Sequence, residues 1–110
     1  MTITVSSQHK FYVSNGRGEE IATAEVYEKQ NTFWITNVWV HPDCRERGLA
    51  TNVLKEVLRY YKNSDLYLGV HGFTNRPLSD DQLAEWYKKF GFEETSVPSI
   101  MVRRGRRWHD

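Results

Sequence analysis

The hydrophobic pattern changes period once, near position 41, and that change limits the folds open to the chain. Before it, apolar residues recur in β fashion. Residues 9–14 alternate around Phe11 and Val13, and residues 19–28 carry Ile21, Ala22, Ala24 and Val26. Thr32–Val40 is the most β-prone run, with Phe33, Trp34, Ile35, Val38, Trp39 and Val40. Its apolar residues fall on both faces, which predicts a central strand. Asn15-Gly16-Arg17-Gly18 predicts the first turn, with Asn-Gly supplying the positive φ angles of a tight hairpin. Lys29-Gln30-Asn31 predicts the second, and the three runs form an antiparallel meander. After the change, Leu49, Val53, Leu54, Val57, Leu58 and Tyr61 fall at helical spacing, and residues 66–70 return to a strand. A strand, a helix and a strand so connected make a right-handed crossover between parallel strands. Residues 79–90 predict a second helix. Ser79 and Gln82 have capping-box spacing, Leu83, Trp86, Tyr87 and Phe90 share a face, and Gly91 stands at the C-cap. Residues 92–95 and Ile100–Arg103 predict a closing hairpin with a tight connection through Pro98. The expected architecture is α/β: a mixed, mostly antiparallel central sheet with one parallel βαβ crossover and two main helices.

At 110 residues the chain is expected to form one domain, 1–110. Its formal net charge of +1 gives no general pull toward nucleic acid or an acidic membrane. One cysteine, Cys44, excludes an internal disulfide framework and a cysteine-based zinc cluster, and suits a reducing, cytoplasmic compartment. No signal peptide is expected from the first residues, and no run approaches the roughly 20 apolar residues of a membrane span.

Chemistry concentrates where the period changes, in Val38-Trp39-Val40-His41-Pro42-Asp43-Cys44-Arg45-Glu46-Arg47-Gly48-Leu49-Ala50-Thr51. A buried strand enters a basic loop, and the loop enters an amphipathic helix near Gly48. The N–H groups of a helix start lack partners inside the helix and carry the positive end of its dipole, so they bind phosphate well. Gly48 has no Cβ to keep a diphosphate from the main chain, Ala50 is small, and Arg45 and Arg47 add charge. The plain alternative is a strand–helix loop with solvated arginines. A P-loop is excluded because Gly-x-x-x-x-Gly-Lys-Ser/Thr is absent. A dinucleotide fold is excluded because Gly-x-Gly-x-x-Gly and its acidic partner are absent.

Arg45-x-x-Gly48-x-Ala50, placed after Val40-His41-Pro42, resembles the Arg/Gln-x-x-Gly-x-Gly/Ala signature of the GNAT superfamily of acyl-CoA N-acyltransferases. Trp86-Tyr87-Lys88-Lys89-Phe90-Gly91-Phe92 is similar to the family's Leu-Tyr-x-x-x-Gly-Phe at the end of the next helix. The resemblance covers about residues 19 to 104. It implies a GNAT-like fold lacking the two helices that most members carry between their first and second strands. It implies acetyl-CoA as co-substrate, no metal, and transfer of the acetyl group to a primary amine, small or macromolecular, by direct attack in a ternary complex. Val38, Trp39 and Val40 would pair with the pantetheine arm and the acetyl carbonyl. Arg45, Glu46, Arg47, Gly48, Leu49 and Ala50 would wrap the pyrophosphate, with Thr51 adding a hydroxyl. Tyr87 would be the general acid beside the sulfur. Asp80 stands where the family often has Asn, and Asn75 is the nearby substitute. The alternative function is a non-catalytic acyl-CoA-binding or protein-interaction module of the same fold.

No general base stands out. Glu25 and His71 are the candidates, His71 having the more suitable intrinsic pKa of ~6.5. Their plain alternatives are a solvated strand carboxylate and an exposed loop histidine. A Cys–His nucleophile built from Cys44 with His41 or His71 is not needed by the family chemistry. His41 and Cys44 are too few for a zinc site. Residues 103–107 form a short basic tail that, with Trp108, offers phosphate contacts and stacking to nucleic acid, or simply aids solubility. Trp34, Trp39, Trp86 and Phe90 are read as core, an exposed subset of which would mark a homodimer interface.

Overall fold

The structure, a computed structural model, describes residues 3–5, 9–30, 32–45, 48–70 and 79–105. Seven strands form one sheet: β1 (Thr4–Val5), β2 (Lys10–Ser14), β3 (Glu20–Lys29), β4 (Thr32–Val40), β5 (Leu66–Gly69), β6 (Glu93–Glu94) and β7 (Ile100–Arg103), in the order β1-β2-β3-β4-β5-β7-β6. All neighbours are antiparallel except β4 and β5, which the crossover through helix α1 (Leu49–Tyr60) makes parallel. Helix α2 (Asp80–Lys88) precedes β6, and β7 slots between β5 and β6. The expected mixed sheet with two main helices is therefore present. Strand β1 adds to the predicted meander, and only residues 6–9 separate it from β2, too few for the two family helices.

The first turn departs from expectation. The positive φ falls on Gly18 (81°), not on the Asn15-Gly16 pair. The Asn15 side chain is the reason. Its Oδ1 accepts N–H bonds from Arg17 (2.8 Å) and Glu19 (3.1 Å), winding the turn around the asparagine so that the left-handed residue comes later. The ladder register shifts between Val13 and Ser14 to absorb the longer loop.

Helix α1 buries Leu49, Val53, Leu54, Val57 and Leu58 against Phe11, Ala22, Ala24, Val26, Ile35, Leu66 and Leu68. Ala22 and Ala24 are fully buried and short, so β3 offers α1 a shallow floor. Each fully buried aliphatic side chain here contributes about 1.5–3 kcal/mol. At the end of α1, Tyr61 packs on Phe33 with ring centroids 4.9 Å apart, and its hydroxyl lies 2.5 Å from His9 Nδ1. Burial, reinforced by Tyr60 and Glu28, pushes that phenol up to about 12.

Helix α2 starts with the predicted capping box. Ser79 Oγ accepts from Gln82 N–H at 3.2 Å, and Gln82 Oε1 accepts from Ser79 N–H at 3.0 Å. It ends at Lys88 with Lys89 as C-cap, two residues before the expected end at Phe90; Gly91 follows in the left-handed conformation (φ 92°), and Phe92 N–H donates to Tyr87 O at 3.3 Å.

The basic tail is corrected in its first part. Arg103 Nε donates to Phe90 O at 2.9 Å and so ties down the turn that follows α2. Arg104 donates to Asp65 Oδ2 at 3.3 Å, and Gly105 N–H to Asp65 Oδ1 at 2.7 Å. These residues belong to the fold rather than to a solvated tail. Arg106, Arg107 and Trp108 lie outside the described residues.

Candidate active site

Strand β4 is the middle strand of the sheet, yet it keeps only half of its partners. It pairs with β3 along its length, but with β5 only where Phe33, Trp34 and Ile35 face Leu66, Tyr67 and Leu68. Beyond Ile35 the two parallel strands part. The parting begins at a bulge: Val26 faces Ile35 and Glu25 faces Asn37, leaving Thr36 as the extra residue, its hydroxyl donating to Glu25 O at 3.4 Å. The bulge also accounts for the break in alternation along this run. The helix-facing set is Phe33 and Ile35, then Val38 and Val40, a one-residue slip of phase. The central placement was predicted correctly, and the slip that reveals the bulge was present in the same nine residues.

Peptide geometry fixes which groups face the gap. His41 N–H donates to Ile21 O on β3 at 2.8 Å. The Val40 carbonyl of that same trans peptide unit therefore points away from β3, toward the gap. Strand alternation turns the Val40 N–H and both main-chain groups of Val38 the same way. Trp39 lies on the opposite sheet face from Val38 and Val40, edge-on to His41 at 5.9 Å.

The chain then turns through a short 3-10 segment, Pro42–Cys44, into α1. His41 Nδ1 accepts from Asp43 N–H at 3.1 Å, so the acceptor nitrogen caps this segment rather than serving the Cys44 thiol. Cys44 is half-buried and packs on the core. Arg45 Nε donates to Val40 O at 3.3 Å. Gly48 is the N-cap of α1 at φ 76°, a left-handed conformation that disfavours other residues, and no side chain caps the helix. Among the described residues, its chain neighbours aside, a Cβ placed on Gly48 meets no atom within 4 Å. The open side of this turn and the N–H groups of Leu49, Ala50 and Thr51 fit a diphosphate, whose place a Cβ would invade. Leu49 is buried and anchors the helix start, while Ala50 and Thr51 are half-buried. Glu46 and Arg47 lie outside the described residues.

Asp80 and Ala84 of α2 line a cavity of about 410 Å³ with Val70, Glu94, Ser99 and Ile100. Tyr87 follows them on the same helical stripe, as residues i, i+4 and i+7 do. It is fully buried, its ring 5.3 Å from that of Phe92. Burial alone pushes its phenol well above the usual tyrosine range. Its burial matches the plain alternative for this residue, a core aromatic on the apolar face it shares with Leu83. Glu25 stands on the sheet face away from the helices, beside the bulge. Asn37 Nδ2 donates to its Oε1 at 3.5 Å, and Lys10 is its register partner on β2. His71 and Asn75 lie outside the described residues. The structure thus brings Val38, Val40, Arg45 and residues 48–51 to one end of the sheet. Thr36 and Asn37, overlooked in the sequence, sit where the strands part. Among the described residues no cluster of three His, Cys, Asp or Glu side chains could hold a metal, and no helix is long and apolar enough to cross a membrane.

The acetyltransferase (GNAT) domain family matches residues 7–94. An uncharacterized N-acetyltransferase of Methanocaldococcus jannaschii is 29% identical over 85 residues, covering 73% of this chain and 34% of its own length, so the chain spans about a third of that relative. Among solved structures, Ard1 from Thermoplasma volcanium matches with a TM-score of 0.67 and 19% identity over 89% of this chain and 71% of its own. The ribosomal-protein-S18-alanine N-acetyltransferase from Escherichia coli matches with a TM-score of 0.66 and 17% identity, covering 93% and 73% respectively. At these identities the structural likeness is one of fold. With the family match spanning most of the sequence, the parted strands and the open helix start beside them find their place: this chain belongs to the GNAT acetyltransferase family.

Proposed function

We propose that the chain is an N-acetyltransferase that moves an acetyl group from acetyl-CoA to a primary amine by direct attack in a ternary complex. The observation that carries this reading is the stretch of β4 at Val38 and Val40 that no strand pairs on its β5 side among the described residues, running into a start of α1 with no side-chain cap. Bound acetyl-CoA supplies a thioester carbonyl at which the C–N bond forms and the C–S bond breaks. The N–H groups at residues 48–51 hold the diphosphate, with the Thr51 hydroxyl, Glu46 and Arg47 beside them. The N–H and C=O groups of Val38 and the Val40 N–H orient the amide arm, and an N–H of this edge takes up the charge that develops on the carbonyl oxygen. Asp80 flanks the arm from the α2 side, and Asn75 is the proposed substitute for the family's asparagine.

Tyr87 is the proposed proton donor to the departing sulfur. Burial keeps the proton on Oη at ordinary pH, and because a thiol ionises near ~8.5 the raised phenol is the weaker acid, so it serves the departing sulfur first as a hydrogen-bond donor. Glu25, aligned by Asn37, takes the proton from the amine, with His71 as the alternative base. The full burial of Tyr87 favours a second reading, an acyl-CoA-binding or interaction module without turnover.

Calorimetry with acetyl-CoA tests the first reading. The native protein binds, and Gly48→Glu, which puts a carboxylate in the diphosphate's place, weakens binding by roughly 100-fold or more. Absence of binding by the native protein overturns it. Thiol release over a broad panel of amines separates the two readings: tight binding with no release on any acceptor establishes the module.

A further inference from the structure

We propose that Arg45 serves acetyl-CoA binding as a positioning residue, holding the Val40 carbonyl so that the outer edge of β4 is presented in a fixed register, rather than as a charge on the diphosphate. The inference rests on the acetyl-CoA reading above. Val40 O points into the gap between β4 and β5, the place where a neighbouring parallel strand would supply the next N–H. No strand does so among the described residues, because β5 pairs with β7 through Gly69 and Ile100 after leaving β4. Arg45 Nε supplies that donor at 3.3 Å.

Two consequences follow for the incoming arm. One lone pair of the Val40 carbonyl is taken, so an amide arm finds in Val38 O the less encumbered acceptor and in the N–H groups of Val38 and Val40 two donors. Its register against the strand is thereby biased toward Val38. The end of β4 is also held close to the turn that leads to α1. That turn has its own bonds, Cys44 N–H to His41 O at 2.8 Å and Asp43 N–H to His41 Nδ1 at 3.1 Å, so it does not depend on Arg45 for its shape.

Two substitutions separate a donor from a charge. In Arg45→Gln the amide nitrogen sits where Arg Nε sits, three bonds beyond Cβ, as a donor with no charge. Arg45→Met has the same length and no donor. Binding of CoA and of its nucleotide fragment, 3′-phospho-ADP, which has the diphosphate but no arm, is measured for each by calorimetry at several salt concentrations. The expected result is that Arg45→Gln binds both ligands within about 3-fold of native with an unchanged salt dependence. Arg45→Met loses about 10-fold or more for CoA and under 3-fold for the fragment. Loss of both ligands in both variants, with a shallower salt dependence, overturns the proposal and places the guanidinium on the diphosphate. Native affinity in Arg45→Met also overturns it. If Arg45→Met fails to fold, judged by its melting curve, Arg45→Gln against native still decides between donor and charge. Failure of the native protein to bind CoA is a separate outcome that removes the acetyl-CoA reading itself, and this inference with it.

Discussion

The two helices of this chain begin in opposite ways. Helix α2 starts with a complete capping box and two carboxylates, Asp80 and Asp81, in its first turn. Helix α1 starts at a left-handed glycine with no side-chain cap and no acidic residue in its first turn. A cap is worth about 1 kcal/mol, and a carboxylate at a helix N-terminus about 0.3–1 kcal/mol. α2 takes both contributions and spends its N-terminal donors on its own side chains. α1 forgoes both, and among the described residues no side chain caps its first N–H groups. The difference separates a helix start that is finished by the fold from one that is finished by an anion.

Substitutions that exchange the two characters test this contrast. Thr51→Glu gives the α1 first turn the acid it lacks. The melting temperature should rise slightly, in line with about 0.3–1 kcal/mol from the dipole, while CoA affinity falls by about 10-fold or more. Stability and affinity moving together would break the contrast. Ser79→Ala removes the cap of α2 and should cost about 0.5–2 kcal/mol in denaturant unfolding, with CoA affinity within about 2-fold of native. A large loss of affinity there would mean that the start of α2 also serves the ligand directly.

The last turns of the two helices carry a smaller, pH-dependent test, since each is followed or closed by a buried tyrosine. Tyr61 is pushed up to about 12 from an ordinary 10.0, and Tyr87 is also raised by burial. Below pH 10 both phenols are protonated in the folded and unfolded chains alike. Above it the unfolded chain ionises first, so stability falls as pH rises from about 10 toward about 12. Unfolding midpoints measured across that window should decline in the native protein and decline less steeply in Tyr61→Phe. A flat native profile would contradict the burial of both rings.

Most of this contrast could be read from sequence because caps and helix starts are local. Ser79 and Gln82 are three positions apart, and the Gly48 motif spans a single turn. The bulge was equally local, written in the slip from Phe33 and Ile35 to Val38 and Val40, but the tryptophans on the other face, Trp34 and Trp39, hid it. The turn at Asn15 was misread for a competitive reason: an asparagine that bonds the amides two and four residues ahead displaces the left-handed position to Gly18. Distance defeated the rest. Arg104 meets Asp65 from 39 positions away. No local pattern shows that a run of arginines has partners inside the fold.

The brief pairing of β4 with β5 has a mechanical consequence. Among the described residues three residue pairs form the ladder between β4 and β5, and α1 packs across it on β2, β3, β4 and on Leu66 and Leu68 of β5. The sheet is therefore split at one end into two leaves. A molecule lodged between the leaves would supply the missing rungs and act as a wedge that stiffens both, so its arrival should slow amide exchange even at positions it never touches, such as Met101 on β7.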